Sequence, residues 1–219
     1  MASDSPLAPR PSPLPTIFIV DDDLSFRQAI ERLVRTGGYA VQTFASATEF
    51  LQFARPDEPG CVLLDLDMPG LSGLELQSAL AREENRLPII FLTGKGNIST
   101  TVPAMRAGAE DFLTKPTRKQ VLFAAIERAL ARDSQDREQR VRRRELQARF
   151  DALTPREREV LTHVLSGQLN KQIAASLNTA ERTIKMHRAN LMTKLQVESV
   201  AELAQLAQTA GVLPAASSQ

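Results

Sequence analysis

The chain has 219 residues, 42% of them hydrophobic and 24% charged, with a formal net charge of +1. This is the composition of an ordinary globular protein with room for one to two domains. Its single cysteine, Cys61, excludes internal disulfides and cysteine-based zinc sites, and no apolar run reaches the roughly 18–20 residues that a membrane helix needs.

Residues 1–15 carry prolines at 6, 9, 11, 13 and 15 without an apolar core. They read as a disordered, polyproline-like tail rather than a signal peptide, and a cytoplasmic protein is the simplest inference. Thr16 to Val20 is a β-rich run that ends in Asp21-Asp22-Asp23. Leu24 to Thr36 follows with Phe26, Ile30, Leu33 and Val34 at helical spacing, and Gly37-Gly38 stop it. Tyr39 to Phe44 reads as a second strand and Ala47 to Ala54 as a second helix. In Cys61-Val62-Leu63-Leu64 the continuous apolar run suits a parallel strand covered on both faces. It ends on Asp65, and Met68-Pro69-Gly70 break the chain soon after.

A third helix is expected over Leu71 to Glu84 and a fourth strand over Leu87 to Leu92, ending in Thr93-Gly94. Asn97 to Ala107 is helical in pattern but contains Pro103. An interior proline costs ~3 kcal/mol and the residue before it avoids the α region. A late start is therefore expected, with helix over about Val102–Ala107 and a loop over Asn97–Thr101, or else a helix bent at Val102. Asp111 to Thr114 is a fifth strand, ending in Lys115-Pro116. Strands alternating with helices imply an α/β domain with a five-stranded parallel, doubly wound sheet, and right-handed crossovers put all strand ends on one edge. Ligands bind at that edge.

From Thr117 a helical pattern runs to Thr154 without Gly or Pro, apolar at first and then rich in charge. Thr154-Pro155-Arg156-Glu157 is a capped helix start. Helices are then expected over Glu157–Leu165, Asn170–Leu177, Glu181–Leu195 and Glu198–Ala210, the middle pair at helix-turn-helix spacing. Residues 1–130 carry 13 Lys/Arg against 16 Asp/Glu, whereas residues 131–219 carry 14 against 10. An acidic half joined to a basic half suggests two domains with different partners. The divisions are a tail over 1–15, an α/β domain over 16–130, a linker helix over 131–152, an all-α four-helix domain over 153–211 and a tail over 212–219.

The sheet edge collects Asp21, Asp22, Asp65, Thr93 and Lys115. Converging carboxylates repel unless a divalent cation is shared, and oxygen ligands suit Mg²⁺. A carboxylate nucleophile with a hydroxyl, a lysine and Mg²⁺ is fitted to phosphoryl transfer. Val20-Asp21-Asp22, Leu64-Asp65-Leu66-Asp67-Met68-Pro69-Gly70, Leu92-Thr93-Gly94 and Asp111-Phe112-Leu113-Thr114-Lys115-Pro116 together resemble the response-regulator receiver domain. The resemblance implies that Asp65 accepts phosphate from a sensor histidine kinase. It implies that Asp22 and Asp65 ligate Mg²⁺, Asp21 through water and Asp67 through its backbone carbonyl. It also implies that Phe112 is a switch aromatic and that the Lys115–Pro116 bond is cis.

Thr154-Pro155-Arg156-Glu157, Gly167-Gln168-Leu169-Asn170-Lys171-Gln172-Ile173-Ala174 and Thr183-Ile184-Lys185-Met186-His187-Arg188 resemble the LuxR-type helix-turn-helix, with FixJ-like members of the NarL/FixJ class as the nearest kin. Helix 181–195 carries Arg182, Lys185, Arg188 and Lys194 against Glu181, which suits a major groove. Lys185, Met186 and Ala189 match base-reading positions, and Lys171, Arg182, Thr183 and Arg188 match phosphate contacts. Lys194 completes the expected DNA-contacting set. The combination implies a transcriptional response regulator that dimerises on phosphorylation, binds double-stranded promoter DNA, meets RNA polymerase and catalyses only its own phosphorylation and dephosphorylation. Two other readings stand beside it. One is a haloacid-dehalogenase-type phosphatase using Asp65 and Asp67, although that family's nucleophile ends the first strand. The other is a DNA-binding regulator that works without phosphorylation.

Overall fold

The computed structural model describes residues 14–53, 58–82, 86–94, 102 and 104–212. The chain forms two compact units, Met1–Asp136 and Arg137–Gln219. In the first, strands β1 (Thr16–Val20), β2 (Ala40–Phe44), β3 (Gly60–Asp65), β4 (Ile89–Thr93) and β5 (Asp111–Thr114) form a parallel sheet in the order β2-β1-β3-β4-β5. Every residue of β1, β3 and β4 is buried, as continuous apolar runs in a sheet covered on both faces require. Phe18, Leu64 and Phe91 face one core layer, and Ile17, Leu63 and Ile90 face the other.

Helices α1 (Leu24–Arg35), α2 (Ala47–Gln52) and α3 (Gly73–Leu80) start on side-chain caps from Asp23, Ser46 and Ser72. Both α2 and α3 are shorter than their sequence pattern predicts. Ser72 and Glu75 form a reciprocal capping box that fixes the start of α3. Close packing forces the next residue to be glycine, because a Cβ on Gly73 would lie 2.4 Å from the Asp65 carbonyl oxygen.

Val102 and residues 104–106 are helical, whereas Pro103 and the expected loop at 97–101 lie outside the described residues. This segment ends in a Schellman motif: Ala109 N–H donates to the Ala104 carbonyl at 3.1 Å, and Gly108 N–H to that of Met105 at 3.0 Å. Gly108 takes the positive φ of +91° that the motif needs. Gln77, buried on α3, donates from Nε2 to the same Ala104 carbonyl at 3.0 Å.

Helix α4 runs for 33 residues, from Lys119 to Asp151. Leu122, Ala125, Ile126 and Ala129 bury its first turns against the sheet. Asp133, fully buried, accepts the Gly60 N–H at 3.0 Å. In the second unit, α5 (Pro155–Leu165), α6 (Asn170–Ser176), α7 (Glu181–Leu195) and α8 (Val200–Thr209) enclose one core built on Val160, Ile173, Ile184, Leu191, Leu195 and Leu203. Phe150, from the end of α4, belongs to the same core.

Glu157 is buried at N3 of α5, where its carboxylate accepts from Thr154 N–H at 2.8 Å and Lys194 Nζ at 2.7 Å. Burial raises its pKa, but the hydrogen bonds from Lys194 and Thr154 and the lysine charge outweigh burial, so it titrates below the ordinary glutamate value. A depressed folded pKa adds stability above the unfolded value, and that stability is lost as pH falls through the folded pKa. Glu157→Ala should therefore destabilise the second unit by ~1–3 kcal/mol at neutral pH. In thermal denaturation the gap between wild type and variant should narrow on acidification below about pH 4.5.

Candidate functional site

Parallel strands deliver their carboxyl ends to one edge of the sheet, and the residues there are polar where the strands were apolar. Asp21 follows β1, Asp65 ends β3 and Thr93 ends β4, all three buried. Lys115 follows β5, and its N–H donates to the Thr93 carbonyl at 2.7 Å. This ladder bond extends the β4–β5 register and turns the lysine back across the edge. The Lys115–Pro116 peptide is cis.

Lys115 Nζ lies 2.6 Å from Asp21 Oδ2 and 3.0 Å from Asp65 Oδ2. Each carboxylate is also held by backbone. Asp65 Oδ1 accepts Leu66 N–H at 2.7 Å, and Asp21 Oδ1 accepts Asp23 N–H at 3.0 Å. Arg27, in the first turn of α1, donates to the Asp21 carbonyl. Asp22 is exposed on the solvent side, and Asp21, Asp22 and Asp65 offer oxygens within 4.8 Å of one another. Burial pushes the Asp21 carboxyl above its ordinary value, against the opposing pull of Lys115. Two buried carboxylates thus share one ammonium in a partly dry site, with a third, Asp22, beside them. An all-oxygen donor set with surplus negative charge fits a hard divalent cation such as Mg²⁺.

Of the other residues expected here, Thr93 is fully buried at the edge. Phe112 on β5 is half-buried, its ring 6.0 Å from that of Phe91. Asp67 is exposed beyond β3, and its carboxylate is outside the acidic group. Phe26 was read from sequence only as part of an apolar stripe. Its ring centroid stands 4.3 Å from Lys115 Nζ.

The second candidate surface is α7. Arg182, Lys185, Met186 and Ala189 are exposed on it, while Thr183, His187 and Arg188 are half-buried. Lys185 pairs with Glu181 one turn back at 3.3 Å, an exposed contact that DNA phosphates can displace. Arg188 donates to Asn170 Oδ1 at 3.0 Å, which ties α7 to the start of α6. Lys171 is exposed on α6. Lys194 differs from the rest: its ammonium is engaged by Glu157 and by the Ala152 carbonyl at 3.3 Å. The turn between α6 and α7 places Asn178 at φ +48°, and Arg156 Nη2 donates to the Leu177 carbonyl at 2.9 Å. The sequence shows Arg156 only as part of a capped helix start. Its place in the first turn of a helix gave no signal of a partner 21 residues away.

Comparison with known proteins matches both units. Residues 17–127 match the response regulator receiver domain, and residues 151–207 match the luxR family of bacterial regulatory proteins. The chain is 44% identical over 196 residues to nodulation protein W of Bradyrhizobium diazoefficiens, covering 90% of this chain and 86% of that one. It is 38% identical over 205 residues to the transcriptional regulatory protein FixJ of Azorhizobium caulinodans, covering 94% and 97%. Among solved structures, the response regulator StyR aligns with a TM-score of 0.74 at 45% identity, over 89% of this chain and 98% of that one. Full-length FixJ from B. japonicum aligns with a TM-score of 0.53 at 36% identity, over 93% and 100%.

The raised pKa of Asp21 carries a sign. A carboxylate that is harder to ionise in the folded state lowers stability at neutral pH, and acidification through the folded pKa relieves it. Without divalent cation, Asp21→Asn should therefore raise the melting midpoint, by about 4 °C for each kcal/mol gained. Millimolar Mg²⁺ should stabilise wild type more than the variant and so close the gap, as differential scanning calorimetry would show.

Proposed function

The chain belongs to the response regulators of the NarL/FixJ class, a receiver domain joined to a LuxR-type DNA-binding domain, and from that premise we propose that Asp65 is its phosphoacceptor and α7 its DNA-reading helix. The observation that carries the first part is the Lys115 ammonium 3.0 Å from Asp65 Oδ2 at the end of a buried strand. Family membership places the chain among transcriptional regulators rather than enzymes. The haloacid-dehalogenase reading also meets a topological obstacle, because Asp65 ends the third strand of the chain.

The donor is a phosphorylated histidine of a sensor kinase. An Asp65 oxygen attacks phosphorus, the P–N bond breaks, and its electron pair leaves with the imidazole nitrogen, which is then protonated from solvent. Lys115 pairs with the phosphoryl oxygens as charge moves onto them, and the Thr93 hydroxyl donates to one of them. Asp22 and Asp65 would hold Mg²⁺ directly, Asp21 through water and Asp67 through its backbone carbonyl, and the bound ion supplies further neutralisation of those oxygens.

Burying a new dianion at this edge draws Thr93 inward and lets Phe112 turn into the space beside it. The surface formed by β5, the start of α4 and the helical residues 102 and 104–106 is reshaped, which favours a homodimer. Two copies of α7 then meet two DNA half-sites, where RNA polymerase is engaged. We assign residues 16–130 to the receiver, 131–152 to the linker and 153–211 to the DNA-binding domain, acting in the cytoplasm. Lys185, Met186 and Ala189 read base edges. Lys171, Arg182, Thr183 and Arg188 hold phosphates, and Lys194 contributes mainly through Glu157.

With acetyl phosphate and Mg²⁺, wild type should take up one phosphate and Asp65→Asn none. Undiminished labelling of the variant would move the phosphoacceptor elsewhere. On DNA, Lys185→Ala should cost ~1–3 kcal/mol of specific affinity. Arg182→Ala should weaken all sequences alike and reduce the salt slope by about 1. Titrations at several salt concentrations separate the two, and an unchanged operator affinity for Lys185→Ala would assign base reading to other residues.

A further inference from the structure

We propose that Phe26 is a positioning residue for Lys115, its ring fixing the ammonium in the place where the phosphoryl group meets it. The inference rests on the reading of Asp65 as phosphoacceptor.

A lysine ammonium has three N–H donors. Asp21 Oδ2 takes one at 2.6 Å, and Asp65 Oδ2 stands at ion-pair distance, 3.0 Å from Nζ. The third neighbour is the Phe26 ring, with its centroid 4.3 Å from Nζ. That is inside the ~6 Å over which the negative face of an aromatic ring attracts a cation. The Lys115 side chain is only 15% exposed, so solvent screens this attraction weakly.

The ring is itself held. Phe26 packs against the core layer that contains Ile17, Leu63 and Leu92, and its N–H donates to the Asp23 cap at 3.1 Å. The next residue, Arg27, grips the Asp21 carbonyl. One turn of α1 therefore holds both the carboxylate strand end and the lysine that answers it.

The chemistry explains why a ring serves better here than a polar group. When Asp65 is phosphorylated to an acyl phosphate, its charge passes to the phosphoryl oxygens and Nζ must follow. A carboxylate or a water in the third position would compete with those oxygens as an acceptor. An aromatic face attracts the charge without offering a lone pair, so it restricts the lysine and leaves its donors available. Leucine at the same place would fill much of the volume and supply no such field.

Three proteins test this: wild type, Phe26→Leu and Phe26→Tyr. In Mg²⁺-free wild type, the Lys115 methylene protons next to the ammonium should be shifted upfield by the ring current. The shift should vanish in Phe26→Leu and persist in Phe26→Tyr. Phosphorylation by acetyl phosphate should slow about three- to ten-fold in Phe26→Leu, the range a cation–π contact of this kind commands. It should return to near the wild-type rate in Phe26→Tyr. Mg²⁺ affinity should stay within about two-fold throughout, since no carboxylate is altered and a cation–π contact acts on the lysine. Unshifted lysine protons in wild type, a Phe26→Leu rate equal to wild type, or a Tyr variant as slow as the Leu variant would each overturn the assignment. Wild type that takes up no phosphate at Asp65 would instead remove the phosphoacceptor reading, and the lysine resonances would still decide the contact.

Discussion

One ammonium holds the receiver's edge together. Lys115 reaches from beyond β5 to Asp21 beyond β1 and Asp65 at the end of β3, bridging strands that are not neighbours in the sheet. Without a cation between them, buried carboxylates so close would force one another to protonate. The lysine offsets part of that repulsion but leaves an excess of negative charge. A second cation is welcome, and so is a phosphoryl group that brings its own counter-ion. The same imbalance that costs stability at rest makes the pocket responsive.

The second unit uses a related device for a different end. Glu157 is a buried carboxylate neutralised by a lysine, Lys194, and by the amide of its own cap. Here the charges balance and the contact closes the helix bundle. Its presence divides α7 into two parts. The carboxyl end is committed to the fold through Lys194 and Leu195, while the amino-terminal half leaves Arg182, Lys185 and Met186 exposed. Recognition helices meet base edges with their amino-terminal residues, so the division of labour agrees with the geometry of groove binding.

The acidic edge was legible because its signals are local. A short run such as Val62-Leu63-Leu64, followed soon by a chain breaker, suits a buried strand, and the residue that ends such a strand lies at the sheet's edge. Thr93 and Lys115 follow from the same rule applied to β4 and β5. What the sequence hid was set by contacts between distant residues. Phe26 has the spacing of a core residue and is one, in part. Its other face meets Lys115, 89 positions later, by a contact no periodicity encodes. Lys194 counted toward a basic helix because a sum of charges ignores a partner 37 residues away. Gln77 and Asp133 were passed over for the same reason. Each is a polar residue on a helix whose buried side chain bonds a backbone group far away in sequence. Helix ends were misjudged where a cap, as at Ser72, overrode an apolar pattern that ran further.

The long helix α4 shows how far such distant contacts govern local structure. Between Asp133 and Phe150 none of its residues is buried, so no core supports that stretch. Pairs such as Arg132 with Asp136 at 3.2 Å and Arg142 with Glu138 at 3.8 Å are worth only ~0.3–0.5 kcal/mol each. Most helical stability in proteins comes from tertiary packing rather than from propensity. The continuity of α4 therefore depends on its ends. At one, the apolar stripe through Ala129 is extended by Asp133, which ties the helix to the Gly60 amide at the start of β3. At the other, Phe150 enters the core of the second unit. With nucleation supplied at both ends, propagation through the charged middle costs little. Loosening either anchor would let that middle fray, which makes the helix sensitive to the state of both its ends.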